Sequence, residues 1–358
     1  MTTEAWTLLP NLPRVASRDA AAAEREGWTG VLLADSQNLA AELVVEMAMC
    51  VAATSRVMVS PGVTNSVTRH PAVLAGAMAT LQAESSGRIS VDIGRGDSAL
   101  AHLGFAPMGV KPFGRYVTAL RTYLRGGEVD FDPGLVPANI KALDTLNLGE
   151  APSASRLGWI RPNSTPVPVN VSATGPRVIA LGAVLADGVS LSVGGDPDRV
   201  AAAIDVARTA RVDAGLDPDG LAIGAYLNIA VHDDLATAAH ITSGKLASFS
   251  RFSVMHGAVT GFVSSDDDRK ELSDFHGTYD MTAHGRSDAS HLTGLSVDFA
   301  QRNAVIGSAP QVLERLWELK ELGVSRFLLT EDFVRTGPSG ESHSQIVEAV
   351  LPELLGWS

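Results

Sequence analysis

The sequence predicts a (β/α)8 barrel carrying two insertions, and three observations point there. Eight short apolar runs, centred near Trp6, Val31, Val57, Ile89, Val169, Val189, Ile223 and Phe327, alternate with helix-patterned segments along 358 residues. That rhythm is the pattern of a parallel sheet covered by helices. The alternation breaks only twice, near 130–166 and 263–300, where proline or polar residues replace periodicity, so the chain is one domain (1–358) with two excursions. The dinucleotide fingerprint of an open doubly wound sheet is missing: Ala99 stands where the third glycine after Gly94 and Gly96 would fall. The doubly wound sheet remains the runner-up.

Each element follows from its residues. Trp6–Leu9 is a first strand. Ala16–Glu26 is alanine-rich with one polar face, hence a helix. Gly30–Ala34 is apolar throughout, as a strand buried on both faces requires. Leu39–Ala53 is a helix, Arg56–Ser60 a strand, Pro71–Ala83 a helix opened by Pro71, and Arg88–Ile93 a strand with Ile89, Val91 and Ile93 alternating. Lys111–Arg125 is a helix closed by Gly126-Gly127. After the first excursion, Val167–Ser172, Gly188–Val193 and Leu221–Val231 are strands. Pro176–Ala186, Asp198–Ala214 and Leu235–Val259 are helices. Pro310–Leu322 is helix, Arg326–Thr330 strand and Gln345–Leu355 helix.

Composition narrows the function classes. A hydrophobic share of 45% in a chain of this length is enough for a large core. With 28 basic against 40 acidic residues, a net charge of −12 and no Lys/Arg-rich run, nucleic acid is not an expected partner. The N-terminus has neither a basic stretch nor a long apolar core. No apolar run approaches the ~18 residues of a membrane span. A cytoplasmic protein is expected. The single cysteine, Cys50, lies among Met47, Met49, Val51 and Ala52 and reads as a buried thiol. The nine histidines show no metal-ligand spacing, and no metal is expected.

In a barrel of this kind the site lies at the C-terminal strand ends. That rule selects Asp35-Ser36, Gly62-Val63, Gly94 to Ser98, Ser172 to Gly175, Gly194-Gly195 and Glu331-Asp332. Gly94-Arg95-Gly96-Asp97 follows a strand. Its glycines can bring backbone N–H groups close to an anion, and Arg95 adds a fork suited to phosphate. Such a Gly-x-Gly step also occurs as a plain turn.

Taken in order, these strand-end residues resemble the bacterial luciferase-like superfamily of flavin and deazaflavin enzymes. The likeness rests on Gly62-Val63-Thr64-Asn65 with Arg69-His70-Pro71-Ala72, on Gly87-Arg88 leading to Gly94-Arg95-Gly96-Asp97, and on Val169 to Ser172 with Thr174-Gly175-Pro176. Ala186-Asp187-Gly188, Ile306 to Pro310 and Glu321 to Val324 extend it. Phe249 to Ser253, Tyr279-Asp280-Met281 and His284-Gly285 are most similar to the methylenetetrahydromethanopterin reductase branch, which uses coenzyme F420.

The resemblance implies a hydride-transferring oxidoreductase acting on a small organic substrate. It also implies a cis peptide at Gly62-Val63 behind the flavin ring. The cofactor would be held by Gly62, Val63, Thr64, Asn65, Gly94, Arg95, Gly96, Asp97, Ser172, Thr174, Gly175 and Pro176. Asp35 and Ser36 take the catalytic position. Deazaflavin dehydrogenases of the superfamily carry a histidine after the acidic residue, so Ser36 disfavours alcohol oxidation by a histidine base. Coenzyme F420 is the first expectation. FMN, with dioxygen and a partner flavin reductase, is the alternative, because Arg95 suits a terminal phosphate. A flavin-binding relative without turnover is a third reading. The family also implies a homodimer.

Overall fold

A computed structural model of the chain describes residues 2–136, 139–161, 163–254, 259, 261, 262, 265–284 and 295–357. It begins β1 (Glu4–Leu9), α1 (Val15–Glu26), β2 (Gly30–Leu33), α2 (Leu43–Ala53), β3 (Met58–Pro61), β4 (Thr64–Asn65), α3 (Pro71–Glu84), β5 (Val91–Gly94), α4 (Asp97–Ala101) and α5 (Val110–Leu124). After the first insertion come β6 (Val169–Ala173), α6 (Pro176–Leu185), β7 (Gly188–Leu191), α7 (Pro197–Asp213), β8 (Ala222–Val231) and α8 (Leu235–Ser250). The chain ends with α9 (Asp266–Phe275), α10 (Val297–Asn303), β9 (Val305–Gly307), α11 (Ala309–Glu321), β10 (Arg326–Thr330), α12 (Gly337–Gln345), a π-helical turn (Ile346–Val350) and α13 (Leu351–Gly356).

All strand pairs are parallel, in the order β3-β2-β1-β10-β8-β7-β6-β5-β4. β3 and β4 share one position in the wall and are separated by Gly62-Val63, whose peptide bond is cis. A bridge between Val59 and Ile89 links the two ends of the sheet, so the wall is a nearly closed (β/α)8 barrel. β9 adds to the end of β8 through Ile229, Ala230 and Val231.

Local chemistry sets the helix boundaries. The Nδ1 of His70 caps α3 by accepting from the Ala72 amide at 3.2 Å, with Pro71 in the first turn. Asp196 caps α7 through the Arg199 amide, and Ser308 with Gln311 makes a capping box on α11. Several expected boundaries move. The helix expected at Leu39 begins at Leu43, because Glu42 accepts from the Val45 amide and starts it there. The one expected over Leu235–Val259 ends at Ser250 in a single 3-10 turn, and His256 lies outside the described residues. The second excursion is not structureless, since it holds α9, capped by Ser265.

Strand residues alternate between two apolar compartments, as the pleat demands. Ala5, Leu9, Val31, Leu33, Phe327 and Leu329 point out to the helices and join the main core. Trp6, Leu8, Leu32, Tyr226 and Leu328 fill the barrel interior. Beneath them lies a polar layer. Asp92, fully buried, accepts from Ser60 (3.3 Å), Asn170 (3.4 Å) and Ser190, and pairs with Arg326 at 3.3 Å. Arg326 also reaches Glu4 at 3.3 Å and stacks 5.0 Å from the Trp6 ring. Burial opposes the charge of Arg326, but Asp92 and Glu4 outweigh it and raise its pKa. Cys50 is buried, and burial together with Glu46 pushes its thiol up to about 12.

The Trp6 ring lies over Gly30, where a Cβ would come within 2.2 Å of ring atom Cε3. Gly30→Ala should therefore displace the indole from the barrel interior and lower unfolding stability by about 1–3 kcal/mol, the usual cost of overpacking. Chemical denaturation followed by tryptophan fluorescence checks it, and an unchanged midpoint would contradict this placement of Trp6.

Candidate active site

A cavity of about 770 Å3 opens at the C-terminal ends of the strands. Every residue selected for catalysis or cofactor binding lines it: Asp35 and Ser36, Gly62 to Asn65, Gly94 to Asp97, Ser172, and Thr174 to Pro176. Two other strand-end pairs do not. Gly194-Gly195 packs against Asn303, Ala304 and Val305, because α10 and β9 cover that strand end. Glu331 turns outward to Thr7 (3.3 Å) and His343 (2.7 Å).

The β2 side is a network centred on Asp35. Its carboxylate accepts from Thr64 Oγ1 (2.7 Å), Gln37 Nε2 (2.8 Å) and Asn65 Nδ2 (3.5 Å), and pairs with Arg69 at 2.7 Å. Arg69 also pairs with Glu42, and its carbonyl accepts from the Tyr116 hydroxyl at 2.8 Å. Burial opposes the guanidinium charge, but Asp35 and Glu42 outweigh it and raise the pKa. Asn65 Oδ1 accepts from the Val67 and Thr68 amides, which turns the chain towards Arg69. Asp35 is 4% exposed with both oxygens engaged, so it holds the Thr64–Arg69 loop in place. Ser36 lies beside it on the wall.

The mouth carries a positive cluster. Gly96 adopts the left-handed conformation (φ 87°), which turns Gly94–Asp97 back towards Asn65. Arg95 donates through Nε to the Met108 carbonyl at 2.5 Å. Arg177, exposed in the first turn of α6, shares the wall. Burial, and then Arg177, lowers the Arg95 pKa, with Asp97 opposing. Among the described residues neither arginine forms an ion pair. Two guanidinium groups outside any ion pair among the described residues, beside the uncapped start of α6 at Gly175, form a setting for an anion.

The floor and far wall come from β6, β8 and α8. Tyr226 Oη and Ser172 Oγ are buried with no hydrogen-bond partner among the described residues. Burial, and then Asp92, pushes the Tyr226 phenol well above its ordinary range, with Arg326 and the neighbouring Ser172 hydroxyl opposing. Phe249 packs on Tyr226 at 6.1 Å and on Phe252 at 6.2 Å. From the second insertion, His284 contacts Ser98 Oγ at 3.1 Å and Tyr279 Oη at 2.5 Å. Arg251 pairs with Asp97 and donates to Ser98 at 3.0 Å. Arg177, Lys245 and Phe333 also line the cavity and were not legible beforehand, because nothing in the spacing distinguishes them from surface residues. No cluster of metal-ligating side chains occurs among the described residues.

Residues 10–326 match the family model described as luciferase-like monooxygenase. The chain belongs to that family. It is 25% identical over 347 residues to 5,10-methylenetetrahydromethanopterin reductase of Methanolobus tindarius, covering 93% of each chain. The structure of coenzyme F420 dependent tetrahydromethanopterin reductase from Methanopyrus kandleri is similar over 99% of both chains, with a TM-score of 0.72 at 19% identity. A riboflavin lyase solved with modified FMN and riboflavin is similar over 99% of this chain and 91% of its own, with a TM-score of 0.63 at 16% identity. The luciferase-like protein is thus an oxidoreductase of the F420- or flavin-dependent kind. No helix among its described residues is long and apolar enough to cross a membrane.

Asp35→Asn keeps the shape and removes the charge opposite Arg69. Breaking a buried pair in this way should cost on the order of 3 kcal/mol of stability and weaken cofactor binding by about tenfold or more. Turnover at saturating cofactor should change less. Thermal unfolding and cofactor titration of the variant check this, and a collapse in turnover at unchanged affinity would put Asp35 in the chemistry itself.

Proposed function

We propose that the protein is a coenzyme F420-dependent oxidoreductase that reduces a small organic substrate. The observation carrying this reading is the likeness to the methanopterin reductases, which runs through nearly the whole chain. The state of Asp35 supports the direction of reaction. With Asp35 held by Arg69 and serine following it, the β2 end offers no free base to take a proton from an alcohol.

The cavity fits such a cofactor on its own chemistry. Ser172 Oγ and Tyr226 Oη are buried neighbours with no geometric hydrogen bond among the described residues, and so can meet polar edges of a ring system. Arg95, Arg177 and the start of α6 suit a phosphate. A Cβ at Gly175 would meet nothing within 4 Å, so room remains at the mouth. When bound, the deazaflavin would supply a hydride from C5. The rest falls to the protein. Gly62 to Asn65 form the wall behind the ring, with their position fixed by Asp35. Gly94 to Asp97 and Thr174 to Pro176 hold the tail. Phe249 and Phe252 keep water from the ring.

One observation favours a second reading with FMN and a partner flavin reductase. Arg95 and Arg177 together offer more positive charge than an internal phosphodiester needs, and a terminal phosphate would use both. Anaerobic spectral titration of the apoprotein with each cofactor separates the two. Coenzyme F420 should bind more tightly, and Arg95→Ala should weaken it only slightly. Under the FMN reading, Arg95→Ala would lose roughly tenfold to a hundredfold in FMN affinity, the worth of a charge-assisted contact. Tight FMN binding with no response to coenzyme F420 would overturn the primary reading.

We further propose a homodimer formed through α2 and α3. Val45 (58% exposed) and Met49 (52%) on α2 and Val73 (61%) on α3 present apolar surface that the barrel leaves uncovered. A dimeric mass at micromolar concentration is expected, shifting to monomer in Val45→Glu/Met49→Glu. A monomeric wild type would remove the proposal.

A further inference from the structure

The wall built by α8 and the segment after β10 differs from the rest of the cavity. Phe249, Phe252 and Phe333 give it an apolar face, and Lys245 is set into that face. The Lys245 ammonium lies 3.4 Å from the centroid of the Phe333 ring. Among the described residues it has neither an ion pair nor a hydrogen bond, although it carries three donors. The carboxylate that acts on it through space is engaged elsewhere: Asp332 accepts from the Val334 amide and from Ser339 Oγ, both at 3.2 Å. Burial lowers the pKa of Lys245 to about 8, with Asp332 opposing, so the group is still mainly cationic at neutral pH. A half-buried ammonium that faces the cavity without an acceptor is open to a ligand that brings the counter-charge. Among the described residues, the other two cations lining the cavity, Arg95 and Arg177, belong to the mouth, where the cofactor phosphate is proposed to sit.

We propose that Lys245 is the specificity-determining residue of the substrate site and pairs with a single carboxylate on a substrate whose body is otherwise apolar. The assignment rests on the reading of this cavity as the active site of an F420-dependent oxidoreductase. A carboxylate fits better than a phosphate, because one lysine on an aromatic wall supplies one positive charge and no bidentate fork. Phe249, Phe252 and Phe333 would cover the apolar body, while the cation–π contact holds the ammonium facing the cavity.

Calorimetric titration of the full chain, with and without coenzyme F420, tests this using phenylacetate, cinnamate and octanoate, each beside its own primary amide. The wild type should bind at least one acid saturably, and about tenfold or more tighter than the matching amide. Lys245→Met should lose the preference for acid over amide and keep its affinity for coenzyme F420, and Lys245→Arg should retain much of the preference. Acids and amides binding alike, no acid binding at all, or a preference that survives in Lys245→Met would each overturn the assignment. The two levels of inference fail separately. A wild type that prefers acids but takes up neither coenzyme F420 nor FMN refutes the proposed function and leaves the lysine's role. One that binds coenzyme F420 and ignores every acid does the reverse.

Discussion

Asp92 and Arg326 meet inside the barrel, and the geometry above them depends on that contact. Asp92 from β5 gathers Ser60 of β3, Asn170 of β6 and Ser190 of β7, while Arg326 of β10 joins it and reaches Glu4 of β1. Six strands are thereby referred to one point. Two charges out of water are tolerated only while they stay paired with each other, so the strands cannot slip relative to one another without stranding a charge. Trp6, Leu32, Tyr226 and Leu328 rest on this layer as a plug. The plug in turn sets the depth at which Tyr226 and Ser172 present their hydroxyls to the cavity.

Above the plug the cavity has two unlike halves. The half from β2 to β5 is fixed by hydrogen bonds, with Asp35 and Arg69 tying the loop after β3 to α2 and to Tyr116 on α5. The half from β8 and α8 is apolar and aromatic, with a lysine set into it. A ring whose position must be exact suits the first half, and a substrate recognised by shape and one charge suits the second.

The barrel was legible because its strands are buried on both faces and read as near-continuous apolar runs: Gly30–Leu33 and Gly188–Leu191 are buried at every position. The strand-end rule then reached most of the cavity. What it could not read was short or non-local. β4 has two residues, β9 three and α4 five, too few for any period to register. β9 and α10 are also why Gly194-Gly195, sound by position, is covered instead of open. Asp35 looked available because the sequence does not show that Arg69, 34 positions on, folds back onto it. Lys245 sits in a helix among small residues, and only the fold turns that face towards Phe333.

The contacts of Arg251, just after α8, and of His284, in the second insertion, with Asp97 and Ser98 join those two segments to the start of α4 behind β5. Those partners come from segments more than 150 positions apart, so the join is a tertiary latch and not part of the barrel's own hydrogen-bonding scheme. Linkage makes such a latch reciprocal. A molecule that favours the arrangement of Gly94–Asp97 also favours the placement of Arg251 and His284, and a change at either residue is felt at the loop across the gap. In evolutionary terms, the insertion can be exchanged to admit new substrates only as far as its replacement still closes on Ser98.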